Sequence, residues 1–127
     1  MNNDTFLLRH VHRNFIQAGV PTRQVFRPTP KDEKRLSVYD GDMILPTDAY
    51  DHYTKELKQS SAGIVAVTFG ECASENLSIL EDRAPFPEHV SIDFSEISSN
   101  NKIDKIALKL KNYANKRGWL YGPIFEK

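Results

Sequence analysis

Residues 88–118 read EHVSIDFSEISSNNKIDKIALKLKNYANKRG, and two periods meet in that stretch. Over 88–94 the residues alternate. Val90, Ile92 and Phe94 point one way, and His89, Ser91 and Asp93 the other, as in a strand with one face on a core. From about 101 to 116 the period lengthens to that of an α-helix. Ile103, Ile106 with Ala107, Leu110, and Tyr113 with Ala114 form one apolar stripe, and lysines populate the outer face. Ser99 or Asn100 can cap the first turn, and Gly118 can stop the last.

Working outward, the longest apolar run is GIVAVTFG at 63–70, whose length suits a strand covered on both faces. Before it, Pro46-Thr47-Asp48 opens a helix running to about residue 59, with Thr47 as N-cap and Asp48 and Asp51 near its positive end. Tyr50, Tyr53 and Leu57 share one face of it, and Lys55 and Lys58 lie toward its C-terminus. Residues 40–42 (Asp-Gly-Asp) read as a turn and 36–39 as a strand with Leu36 and Val38 on one face. Residues 22–27 read as a short strand stopped by Pro28 and Pro30, and Gly19-Val20-Pro21 as a turn. Residues 5–12 fit both periods, and their shortness and lack of a helix cap favour a strand. Residues 119–121 read as a last short strand ending at Gly122-Pro123.

Strands and helices do not alternate regularly, and no glycine-rich turn leads a strand into a helix. The pattern predicts a single α+β domain over residues 1–127. Its sheet is mixed or mainly antiparallel, with about five or six strands and two helices, rather than a doubly wound parallel fold. The 127 residues carry 17 basic and 17 acidic side chains, for a formal charge of +0. That balance argues against nonspecific nucleic-acid binding. The charges are unevenly placed, however, and basic residues gather at 9–13, 23–35 and 102–117. The lone cysteine, Cys72, excludes an intrachain disulfide and suits a reducing compartment. The apolar run at residues 6–8 is too short for a secretory signal or a membrane helix, so a cytoplasmic protein away from the membrane is expected.

Several groupings could carry chemistry. His10-x-His12 on one strand face could chelate a metal with His89, Cys72 or a carboxylate, although two solvated histidines explain the spacing more simply and no metal is expected. Cys72 with His89 as base could act as a nucleophile, but nothing around the cysteine supports more than a small buried residue. Arg27, Thr29 and Lys31 stand in a stretch stiffened by Pro28 and Pro30, and form a reasonable anion-binding set for phosphate or carboxylate. Arg9 and His10 could hold a pyrophosphate, Tyr39 could stack on a ring, and Glu71 or Glu88 could orient a ribose hydroxyl. No phosphate-binding loop, HExxH, GxSxG or CxxC occurs.

Small ADP-ribosyl-transferring domains use a similar set of groups, and Leu7-Leu8-Arg9-His10 resembles the opening string of RNA 2′-phosphotransferases. The rest of that phosphotransferase pattern is not apparent. The strings at 7–12, 26–33, 36–42, 86–94 and 117–121 together resemble a family of small, uncharacterised bacterial proteins. That resemblance implies a bacterial cytosolic origin and brings no activity, cofactor or catalytic residue with it. The expected function is a small binding or accessory protein with a protein partner and a local anion site. The alternative is a compact enzyme acting on a nucleotide or phosphorylated substrate. The ligand-binding candidates are Arg9, His10, His12, Arg27, Thr29, Lys31, Tyr39, Glu88 and His89.

Overall fold

A computed structural model of the chain describes residues 1–125, without the side chain of Asp32. It is α+β. Five strands, β1 (Phe6–Val11), β4 (Arg35–Asp40), β5 (Gly63–Thr68), β6 (Ser78–Leu80) and β7 (His89–Asp93), form one antiparallel sheet. Their order across it is β5-β1-β4-β7-β6. The short strands β2 (Ile16–Gln17) and β3 (Val20–Pro21) pair as a separate ribbon. The helices are α1 (Pro46–Asp51), α2 (Phe69–Ser74) and α3 (Asn100–Arg117). No helix among the described residues is long and apolar enough to cross a membrane.

The alternation in β7 sorts its side chains as the sequence predicts. Val90, Ile92 and Phe94 enter the larger core, together with Leu36 and Val38 of β4 and Val65 and Val67 of β5. Helix α3 closes that core with Ile103, Ala107, Leu110 and Ala114. Ser99 caps its start through a bond from the Lys102 amide. Gly118 ends it at φ 89°, a left-handed conformation that costs glycine little. The opposite face of the sheet carries a thinner layer made by Leu8, Tyr39, Ile64 and Ala66, packed under Ala49 and Tyr50 of α1. As the apolar run predicts, β5 is buried on both sides.

Five expectations need correction. The turn read at Gly19-Val20-Pro21 lies at residues 18–19, and Val20–Pro21 are the strand β3 paired with β2. Residues 22–27 are not a strand. Arg23–Phe26 form a 3₁₀ turn, because Val25 and Phe26 are both buried and adjacent residues of a strand cannot both face one core. The helix after Pro46 is shorter than expected and starts two residues earlier than a Thr47 cap implies. Pro46 takes the first helical position, where its missing N–H costs nothing, and Leu45 rather than Thr47 precedes it. At His52–Glu56 the helix widens to a π turn, with the Leu57 amide bonded to the His52 carbonyl. The widened turn breaks the i, i+3, i+7 phase, so Tyr50 and Tyr53 face inward while Leu57 stays exposed. Residues 119–121 make only a single bridge, Tyr121 to Ile64. That approach depends on Gly63, where a Cβ would lie 2.4 Å from the Tyr121 carbonyl oxygen.

The sequence reading also passes over α2. Thr68 accepts from the Glu71 amide while Glu71 accepts from the Thr68 amide, a reciprocal capping box in the string Thr-Phe-Gly-Glu. Arg117 then grips Glu71 at 2.9 and 3.2 Å, tying the end of α3 to the start of α2.

Candidate functional site

The site begins with a fault in the sheet. Strand β1 pairs with β5 along its whole length, from Phe6 to Val11. Strand β4 pairs with β7 from Arg35 to Tyr39. Between β1 and β4, however, the register holds only Leu7↔Asp40 and Leu8↔Tyr39. From Arg9 onward the two central strands part. Arg9 spans the opening instead of a backbone ladder. Its Nε donates to the Val25 carbonyl at 2.8 Å and its NH1 to the Ser37 carbonyl at 3.0 Å.

A cavity of about 380 Å³ lies beside this parting, lined by Arg9, His10, His12, Asn14, Phe15 and Tyr53. That volume suits a small ligand. His10 is 9% exposed. Its ring stacks on Tyr53 with centroids 3.7 Å apart, meets Tyr39 edge-on, and bonds Ser61 Oγ through Nδ1 at 3.1 Å. Nε2 is buried and makes no hydrogen bond of good geometry. Burial, then the positive charge of Arg9 and the neighbouring His52, push the His10 pKa down to about 3; a weak interaction with the Ala49 backbone acts the other way. His10 is therefore a neutral imidazole at physiological pH. His12 does not continue the strand, which ends at Val11. It caps the 3₁₀ turn Arg13–Phe15, accepting from the Asn14 amide at 3.1 Å. The two histidines nonetheless line the same cavity, and among the described residues no three His, Cys, Asp or Glu side chains gather as a metal site.

Three of the four histidines stand on this face of the sheet, joined by aromatic contacts. Tyr39 OH lies 2.7 Å from His52 Nδ1 and its ring stacks on Phe86. Burial, then Tyr53, Glu88 and Glu56, push the Tyr39 hydroxyl up, so it stays protonated. Phe86 meets His52 and His89 edge-on. His89 Nδ1 lies 2.7 Å from Asp82 Oδ1, and Nε2 lies 3.2 Å from Ser37 Oγ. Glu88 is half-buried, and its carbonyl accepts from the Asp40 amide.

The sequence-predicted residues thus fall into three groups. Arg9, His10 and His12 line one cavity, Tyr39 and His89 are paired neighbours on one face of β4 and β7, and Glu88 lies in the turn just before β7. Arg27, Thr29 and Lys31 are not among the cavity's residues. Arg27 is held by Asp104 of α3 at 3.3 Å, and Thr29 and Lys31 are exposed. Cys72 sits in the α3-side core, where burial, then Glu71 and Glu75, push its thiol up to about 12. It is an inert buried thiol, with His89 on the other face. Sequence reasoning passes over Tyr53 and Phe15 as site residues, and over Ser37, Asp82 and His52 entirely. Comparison with protein-family models, with curated proteins and with solved structures finds no match for this chain.

Proposed function

We infer that this chain is a small cytoplasmic binding or accessory protein whose ligand occupies the cavity at the parting of β1 and β4. The reading rests on one observation. A small cavity brings together a guanidinium, two imidazoles and two aromatic rings, from Arg9, His10, His12, Phe15 and Tyr53. A guanidinium and an imidazole suit a phosphate or carboxylate, and the aromatic rings suit a flat ring joined to it. The ligand class is therefore a nucleotide or another phosphorylated, ring-bearing molecule. A protein partner that receives or presents this ligand completes the accessory role.

The alternative, a compact enzyme acting on a nucleotide or phosphorylated substrate through Arg9, His10, Arg27 and a late glutamate, loses support because Asp104 engages Arg27. Thermal shift with inorganic phosphate, adenosine and adenosine monophosphate tests the proposal. The monophosphate should raise Tm more than either fragment, by the equivalent of about 2.7 kcal/mol at 100 times its Kd. The shift should vanish in His12→Ala and Arg9→Gln and persist in Arg27→Gln. A monophosphate without effect, or a shift unchanged in both cavity variants, overturns the reading.

A further inference from the structure

On the outer side of β4 and β7, four polar side chains form a chain of hydrogen bonds that the binding proposal does not use. Ser91 Oγ donates to Asp82 Oδ2 at 2.7 Å. Asp82 Oδ1 lies 2.7 Å from His89 Nδ1, and His89 Nε2 lies 3.2 Å from Ser37 Oγ. Strand register creates the last contact. Ser37 pairs with Ser91 and Tyr39 with His89, so Ser37 and His89 are diagonal neighbours on one face.

We propose that Ser37 is a nucleophile activated by His89, and that this chain cleaves activated acyl esters or thioesters. The roles follow from which atoms touch. Asp82 accepts from Nδ1–H, which leaves the Nε2 lone pair to accept from the Ser37 hydroxyl. Burial alone raises the Asp82 carboxyl, but hydrogen bonds from Ser91 and His89 outweigh it and keep the group ionised. Asp82 is a positioning residue, fixed in turn by buried Ser91. Ser37 is exposed, as an attacking group must be, while His89 is mostly covered. Phe86 stands edge-on to the imidazole, 5.4 Å between centroids, and supplies an apolar wall for an acyl or aryl group. Such a constellation is recognised by geometry and not by a local string. The absence of a GxSxG motif therefore does not bear on it.

In the first step Ser37 Oγ forms a bond to the acyl carbon and its proton passes to His89 Nε2. The bond from the acyl carbon to the leaving oxygen or sulfur breaks, and that atom departs with the electron pair and takes the proton from His89. Water then attacks the acyl-serine, giving its proton to Nε2. The acyl carbon–Oγ bond breaks, Oγ recovers the proton, and a carboxylic acid leaves.

The test uses the full chain with a fluorophosphonate probe. The Oγ–phosphorus bond forms as fluoride leaves, and peptide mass spectrometry locates the adduct. Labelling should fall on Ser37 and slow about a hundredfold in His89→Gln. An aryl acetate should be hydrolysed by the wild type and not by Ser37→Ala, whose Tm should match because the side chain is exposed. Asp82→Asn should slow labelling and abolish a downfield proton NMR signal from His89 Nδ1–H, and Asp82→Glu should restore both in part. No adduct on Ser37 in the folded wild type, or labelling equally fast in a folded His89→Gln, overturns the proposal. So does hydrolysis that survives in Ser37→Ala. None of these outcomes depends on nucleotide binding at the cavity.

Discussion

The two faces of the central sheet are built from different chemistry. The α3 face is an apolar layer in which Leu7, Val38, Ile92, Phe94 and Leu110 are sealed from solvent. The α1 face holds three histidines, four tyrosines and Phe86 around a thinner apolar layer. On the first face a side chain is defined by its volume, and on the second by its hydrogen-bond partner and its protonation state. A fold that gives one face to packing can keep polar groups in fixed geometry on the other, because the strands between them are already held.

Three substitutions test that division. The largest effect belongs to the packed face. Leu110→Ala removes a fully buried side chain and should lower unfolding stability by about 2–5 kcal/mol in urea titration. A loss under about 1 kcal/mol would mean that α3 does not close the core as described.

The second concerns His10. Below about pH 6.5 the unfolded chain protonates this residue, while the folded, desolvated ring refuses the proton until about pH 3. The unfolded state binds more protons across that window. Stability therefore falls as pH drops, with a limiting slope from this residue of about 1.4 kcal/mol per pH unit. Urea midpoints between pH 7 and 5 should fall less steeply in His10→Gln than in the wild type. Equal slopes would show that the α1 face leaves this ring solvated.

The smallest effect is that of Tyr39→Phe. It removes the hydroxyl bonded to His52 at 2.7 Å but keeps the ring stacked on Phe86, and should cost about 1 kcal/mol. A neutral outcome would show that the aromatic layer, and not its hydrogen bond, places His52.

The same division explains what can be read from the sequence. The α3 face is legible because burial on one side leaves a period: the alternation of 88–94 and the stripe of 103–114 each name the residues that touch. Residues 22–27 are not, since a 3₁₀ turn between prolines buries adjacent residues and leaves no period to find. Helix α2 has a readable start in Thr68 and Glu71, but six residues are too few to show a stripe. In the site, Arg9, His10 and His12 are legible as a group because they are neighbours in the chain. Ser37 is joined to His89 across 52 positions by strand register, which no local spacing encodes. The parting of β1 from β4 is hidden for the same reason, because the strings on either side both read as ordinary strands.

That parting also has a mechanical consequence. The five-stranded sheet is two plates, β5 with β1 and β4 with β7 and β6, joined by a seam of two residue pairs and one arginine side chain. Leu7 and Val65 of one plate and Val38 and Ile92 of the other pack in the core that α3 closes, so packing, and not a backbone ladder, fixes the width of the opening beside Arg9.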